Sequence, residues 1–127
     1  MFESDYIMRQ IEGIAKMLGQ LMFHKKPETV EIFDAQGNVT TEGLLWHKLK
    51  HMIILGQINE AENLLFSEIE ETNSMQLLPV AIAFYRELAE LSEKRLAECN
   101  YSAEEIVSGL QSVEHLLQSI PEVRDGQ

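Results

Sequence analysis

The chain has one cysteine, Cys99, among its 127 residues. Neither an intrachain disulfide nor a cluster of several thiolates around a metal can form within one copy. Long hydrophobic runs are also missing: the longest stretch without a charge, residues 72–85, falls short of the ~20 apolar residues that cross a bilayer and contains Pro79. The first residues, Met1-Phe2-Glu3-Ser4-Asp5, are acidic where a secretory leader is basic. Together these absences predict a cytoplasmic protein with no membrane partner. Basic residues are scarce, with 10 Lys+Arg against 21 Asp+Glu and a formal net charge of −11. Residues 1–56 hold 6 bases and 7 acids, residues 57–127 hold 4 and 14, so the excess lies in the second half. Nucleic-acid binding draws most of its affinity from neutralised phosphates, and this balance argues against it. Neither G-x-x-x-x-G-K-[ST] nor G-x-G-x-x-G occurs, and no acid stands three residues before a histidine, which removes the common phosphate loops and the di-metal carboxylate bundle.

What the chain does have is apolar residues at helical spacing. A lead helix within residues 1–26 starts from a Ser4 cap and runs to about His24, with Ile7, Met8, Ile11, Ile14, Ala15, Met17, Leu18, Leu21 and Met22 on one half of the wheel. That half is wider than one packing contact needs, so the helix should meet two neighbours or a second copy of the protein. Residues 27–40 break the period. Alternation over residues 29–33 and turn chemistry in Asp34-Ala35-Gln36-Gly37-Asn38 read as a structured connector or a small β-hairpin with Val39 returning.

Residues 41–72 then read as one helix pair and residues 74–120 as a second, followed by a polar tail, residues 121–127. In the first pair, Leu45, Trp46, Leu49, Met52 and Ile53 share an arc, and Ala61, Leu64, Leu65, Phe66 and Ile69 share another. Gly56 can take the left-handed conformation that closes a helix, while Asn59 is placed to cap the next one with Glu62 completing a capping box. In the second pair, one helix begins between Met75 and Pro79 and continues to Cys99-Asn100. A second capping box, Ser102-Ala103-Glu104-Glu105, opens the last helix, which Pro121 stops. The expected fold is all-α, a single domain of five helices.

The turn Gly56, Ile58, Glu60, Ala61 and Leu65 resembles that of a tetratricopeptide repeat. Over most of its length the chain also resembles a small bacterial family of helical proteins to which no activity is assigned. The resemblance rests on residues 5–9 with Ile11-Glu12, on residues 59–66, on Phe84-Tyr85 and Leu96, and on residues 101–106 with Gly109-Leu110. It implies a tetratricopeptide-like helical-hairpin bundle and carries no catalytic residue.

Chemistry is sparse. His47 and His51, spaced i and i+4, have zinc-ligand geometry, but Lys48 and Lys50 between them repel a cation, so no metal is expected. Glu87, Glu90 and Glu93 read as an exposed acidic face. Cys99 sits at a helix C-terminus, whose dipole opposes thiolate formation, and a packing role is expected. The reading that follows is a non-catalytic, cofactor-free module that binds a protein or peptide, or itself, through its surface. His47, Lys50 and His51 form a cationic stripe beside the acidic half and are its candidate contacts. Two rivals remain at this point: a small-ligand sensor or enzyme with a pocket between the lead helix and the hairpins, near Trp46, Phe84 and Tyr85, and a structural homodimer through the lead helix.

Overall fold

A computed structural model describes residues 2–19, 30–73 and 75–119. Its helices are α1 (Phe2–Gly19), α2 (Thr41–Ile54), α3 (Ile58–Thr72), α4 (Leu78–Ala89), α5 (Glu93–Glu98) and α6 (Ala103–Gln118), with a 3-10 turn over Met75–Leu77 leading into α4. The described residues are therefore all-α, with six helices where five were expected. The extra helix comes from Ser92. Its hydroxyl accepts from Arg95 N at 3.0 Å and starts α5, so the segment read as one helix up to Cys99 is broken after Ala89. No helix among the described residues is long and apolar enough to cross a membrane.

Two turns organise the hairpins. At the end of α2, Gly56 takes φ 85°, its N–H donates to Ile53 O, and Gln57 N donates to Met52 O. This is the Schellman closure that the glycine predicts. At the end of α5, Asn100 takes φ 60°, with Asn100 N donating to Ala97 O and Tyr101 N to Leu96 O. The two turns thus share one hydrogen-bond pattern, with asparagine replacing glycine in the second. They also touch. Asn59 Nδ2 donates to Asn100 O at 3.0 Å and Arg95 Nη2 donates to Ile54 O at 3.1 Å.

Asn59 is accordingly not a cap. α3 begins one residue before it, at Ile58, with Gln57 in the cap position and no side-chain cap bond. The first helix also starts earlier than expected, so Ser4 lies inside α1, and the expected end near His24 lies outside the described residues, as do Pro121 and the tail. Other local expectations match. Ser102 caps α6, its Oγ accepting from Glu105 N and donating to the Glu105 carboxylate, whereas the cap of α2, Thr40 accepting from Gly43 N, was not anticipated. Pro79 occupies the first turn of α4.

Packing follows the buried stripes. α2 lies against α3 and α4, α4 against α6, and α3 against α6. α1 presents Ile7, Ile11, Ile14 and Ala15, all buried, to α4 and α6, and so meets two neighbours, as its wide apolar face anticipates. An ion pair from Arg86 to Glu12 joins α4 to α1 at the edge of this contact. The centre is filled by Leu49, Ile58, Leu65, Ile82, Phe84, Tyr85 and Leu88, with Phe84 and Tyr85 edge to face at 5.0 Å between ring centroids.

Candidate functional site

The segment before α2 is a miniature hairpin. Asp34 Oδ1 accepts from Gln36 N and Asn38 N at 2.9 Å, Asp34 N donates to Asn38 O at 2.8 Å, and Phe33 forms a single antiparallel bridge with Val39. The described part of the connector, residues 30–40, is thus an Asx-turned loop with one bridge rather than two extended strands, and residues 27–29 lie outside the described residues. The hairpin is seated on α2 through Gly43, where a Cβ would stand 3.0 Å from Ile32 Cα and 3.2 Å from Ile32 O. Glycine at this position is what lets the two backbones approach so closely.

Hairpin and helix together enclose a cavity of about 290 Å³ lined by Ile32, Val39, Gly43, Leu44, Trp46, His47 and Lys50. Of the three residues singled out by charge, His47 and Lys50 line this cavity, whereas His51 stands one turn further along, exposed and outside it. The Lys50 ammonium lies over the Trp46 ring, 5.3 Å from its centroid, a cation–π contact on the cavity wall. The cavity wall and the surface along the rest of α2 expose apolar side chains. Ile32, Phe33, Val39, Leu44, Ile54 and Leu55 are all exposed, the last two at 71% and 58%. Trp46 is half-buried, whereas Phe84 and Tyr85 are fully buried and line neither this cavity nor the one below.

A second feature was not anticipated. Glu62 lies on the inward arc of α3, and its Oε2 accepts from Tyr85 OH at 2.6 Å and Tyr101 OH at 3.0 Å. The expected capping box is replaced by this buried network: two phenols from α4 and the α5–α6 loop satisfy a half-buried carboxylate. Burial first, then the charge of Glu62 and the hydrogen bond to it, push both phenols far above their ordinary pKa. Gly109 on α6 closes the arrangement. A Cβ there would meet the Glu62 carboxylate, the Tyr85 hydroxyl and, at 2.8 Å, the Tyr85 ring. Glu62, Tyr85, Tyr101 and Gly109 all fall in the segments that carry the family resemblance. A family model, described as a family of unknown function (DUF6483), matches residues 1–118. The chain belongs to this family. No curated protein and no solved structure matches it.

In this DUF6483 chain the Glu62 network ties α3 to α4 and to the α5–α6 loop, and no fully buried polar side-chain atom among the described residues is left without a partner. A wider groove of about 670 Å³ opens between α3 and α6, lined by Phe66, Glu70, Ser108, Gln111, Ser112, His115, Leu116 and Ser119. Its serines and imidazole stand on one face of α6, yet no serine–imidazole hydrogen bond forms there among the described residues; the only side-chain bond from a lining serine is Ser119 Oγ to Leu116 O. Among the described residues no three metal-ligating side chains converge. The surface with the most distinctive chemistry is therefore the cavity of the hairpin and α2.

Proposed function

We propose that the DUF6483 chain is a non-catalytic interaction module whose contact face is the outer side of α2 together with the hairpin over residues 31–40. Its architecture reads as tetratricopeptide-like: two helical pairs, α2–α3 and α4–α6, lie side by side, and the turns that end α2 and α5 have the same pattern. α1 covers the flank of the second pair, while the outer side of α2 carries exposed Leu44, Ile54 and Leu55.

One observation carries this reading, namely apolar side chains exposed around His47, Lys50 and His51 on a chain that is otherwise acidic. Patches of that kind on a soluble surface mark contact sites. The doubly substituted Leu44→Glu, Ile54→Glu chain tests it. Both positions are exposed, so the fold should keep its stability within about 1 kcal/mol. Quantitative affinity capture and light scattering, run beside the unaltered protein, should show loss of a co-purifying protein or of self-association. If the captured set and the molar mass are both unchanged, the face is misassigned.

A further inference from the structure

The outer side of α2 has a pattern of its own. Leu44 stands at one end, Ile54 and Leu55 at the other, and His47, Lys48 and His51 between them, all exposed. At 1.5 Å per residue the stripe is about 16 Å long, three helical turns. Among the described residues the ion pairs are Arg86–Glu12 and Arg95–Glu98, so none of His47, Lys48, Lys50 and His51 has a carboxylate partner there, although acids outnumber bases 21 to 10. Among the described residues the two lysines of α2, Lys48 and Lys50, have no carboxylate partner in a protein that has acids to spare.

Resting on the reading of α2 as the contact face, we infer that its occupant is an acidic amphipathic helix of another protein, laid along α2 with one bulky apolar side chain in the Trp46 cavity. Size supports the anchor. A cavity of about 290 Å³ lies at the lower edge of the ~300–1,000 Å³ range of small-molecule pockets, which suits a single large side chain. Packing supports the helix, since α2 already meets α3 and α4 along its other sides and a third helix needs only the same spacing of apolar residues.

Charge separates this occupant from its competitors. A second copy docked about a two-fold axis would set the basic stripe against itself, and head-to-tail docking onto the acidic half would give a ring or an open polymer, which the molar mass reveals. An anionic bilayer or a nucleic acid extends past the stripe and meets the whole chain at net charge −11. A short acidic helix meets only the stripe, because salt screens charges beyond about 8–10 Å.

The test is photo-crosslinking in the cells that make the protein, with benzoylphenylalanine placed at Leu44 or at Ile54 of the full chain, and mass spectrometry to identify what is joined. Position Gln111 on α6 serves as the background control. The expected result is that both α2 positions reach the same segment of another protein, rich in Asp and Glu and with apolar residues at i, i+3, i+4 and i+7. That segment, made as a synthetic peptide, should change Trp46 fluorescence, bind at least tenfold more weakly to Lys50→Glu, and regain affinity when its own facing glutamate is changed to lysine. Crosslinks to a second copy, to lipid, to RNA, or to a neutral or basic segment overturn the acidic helix while leaving α2 as the contact face. Crosslinking no stronger than at Gln111 overturns both.

Discussion

Two glycines inside helices should respond to the same substitution with opposite signs. Gly13 is exposed on α1 and a Cβ there meets nothing within 4 Å, so Gly13→Ala gains only helix propensity, about 0.5–1 kcal/mol. For a chain of this length about 4 °C accompanies each kcal/mol, so its midpoint should rise by about 2–4 °C. Gly109→Ala gains the same propensity but drives a methyl into the Glu62 carboxylate, the Tyr85 hydroxyl and a ring carbon 2.8 Å away. Overpacking of that kind costs about 1–3 kcal/mol. The helix must also move off, which stretches the bonds to Glu62, and hydrogen bonds to a charged group are worth about 1.5–3 kcal/mol each. Steric and hydrogen-bond losses outweigh propensity, and the net expectation is destabilisation by about 2–4 kcal/mol, or about 8–16 °C. Circular dichroism at 222 nm measures both, the free energies in urea melts of unchanged slope and the midpoints in thermal melts. A Gly109→Ala protein as stable as its parent would refute the account of how α3, α4 and α6 meet. A destabilised Gly13→Ala would show that the outer side of α1 is covered.

Tyr85→Phe deletes the 2.6 Å bond to Glu62 and should cost about 2 kcal/mol in urea melts, whereas Tyr101→Phe, at 3.0 Å, should cost about 1 kcal/mol; equal or zero losses would contradict the network. The same phenols set an alkaline limit. Their folded pKa values are raised, so their contribution is intact below the unfolded value near 10 and is lost above it, as the unfolded chain releases protons that the native state retains. Stability should then fall by up to about 2.7 kcal/mol per pH unit, a slope absent from the Tyr85→Phe, Tyr101→Phe protein. Gly43→Ala should dislodge the hairpin from α2, shifting the amide resonances of residues 31–40 and the Trp46 emission while changing global stability by less than about 1 kcal/mol; unshifted resonances would mean that the 3.0 Å approach is not a constraint.

The helices were legible because their apolar spacing is strong, and the α2–α3 turn because only a residue tolerant of positive φ closes a helix as Gly56 does. The second turn was passed over for the same physics in another letter, since Asn100 takes the left-handed position without being glycine. Asn59 and Glu62 fit a local capping pattern, and local reasoning has no access to Tyr85 and Tyr101, which lie 23 and 39 residues beyond Glu62 and claim its carboxylate. The sign that something long-range was present was the acid itself, sitting on an apolar arc, together with a glycine inside the last helix. Ser92 was missed as a helix start because no proline or glycine marks the break before it. At the contact face, the histidines and Lys50 were visible as charge. The hairpin wall of the cavity was not, because it exists only where Ile32 can rest on a residue without a side chain.

The placement of α1 has a consequence for how the protein is made. Its buried isoleucines rest on α4 and on α6, the latter about a hundred residues further along, so α1 is translated well before the helices that cover it. Until α4 and α6 have both been translated, the packing site for Ile7, Ile11 and Ile14 is incomplete, and a nascent or interrupted chain displays them to chaperones and proteases. Translation of α6, rather than of the helices before it, is what completes the cover over this stripe.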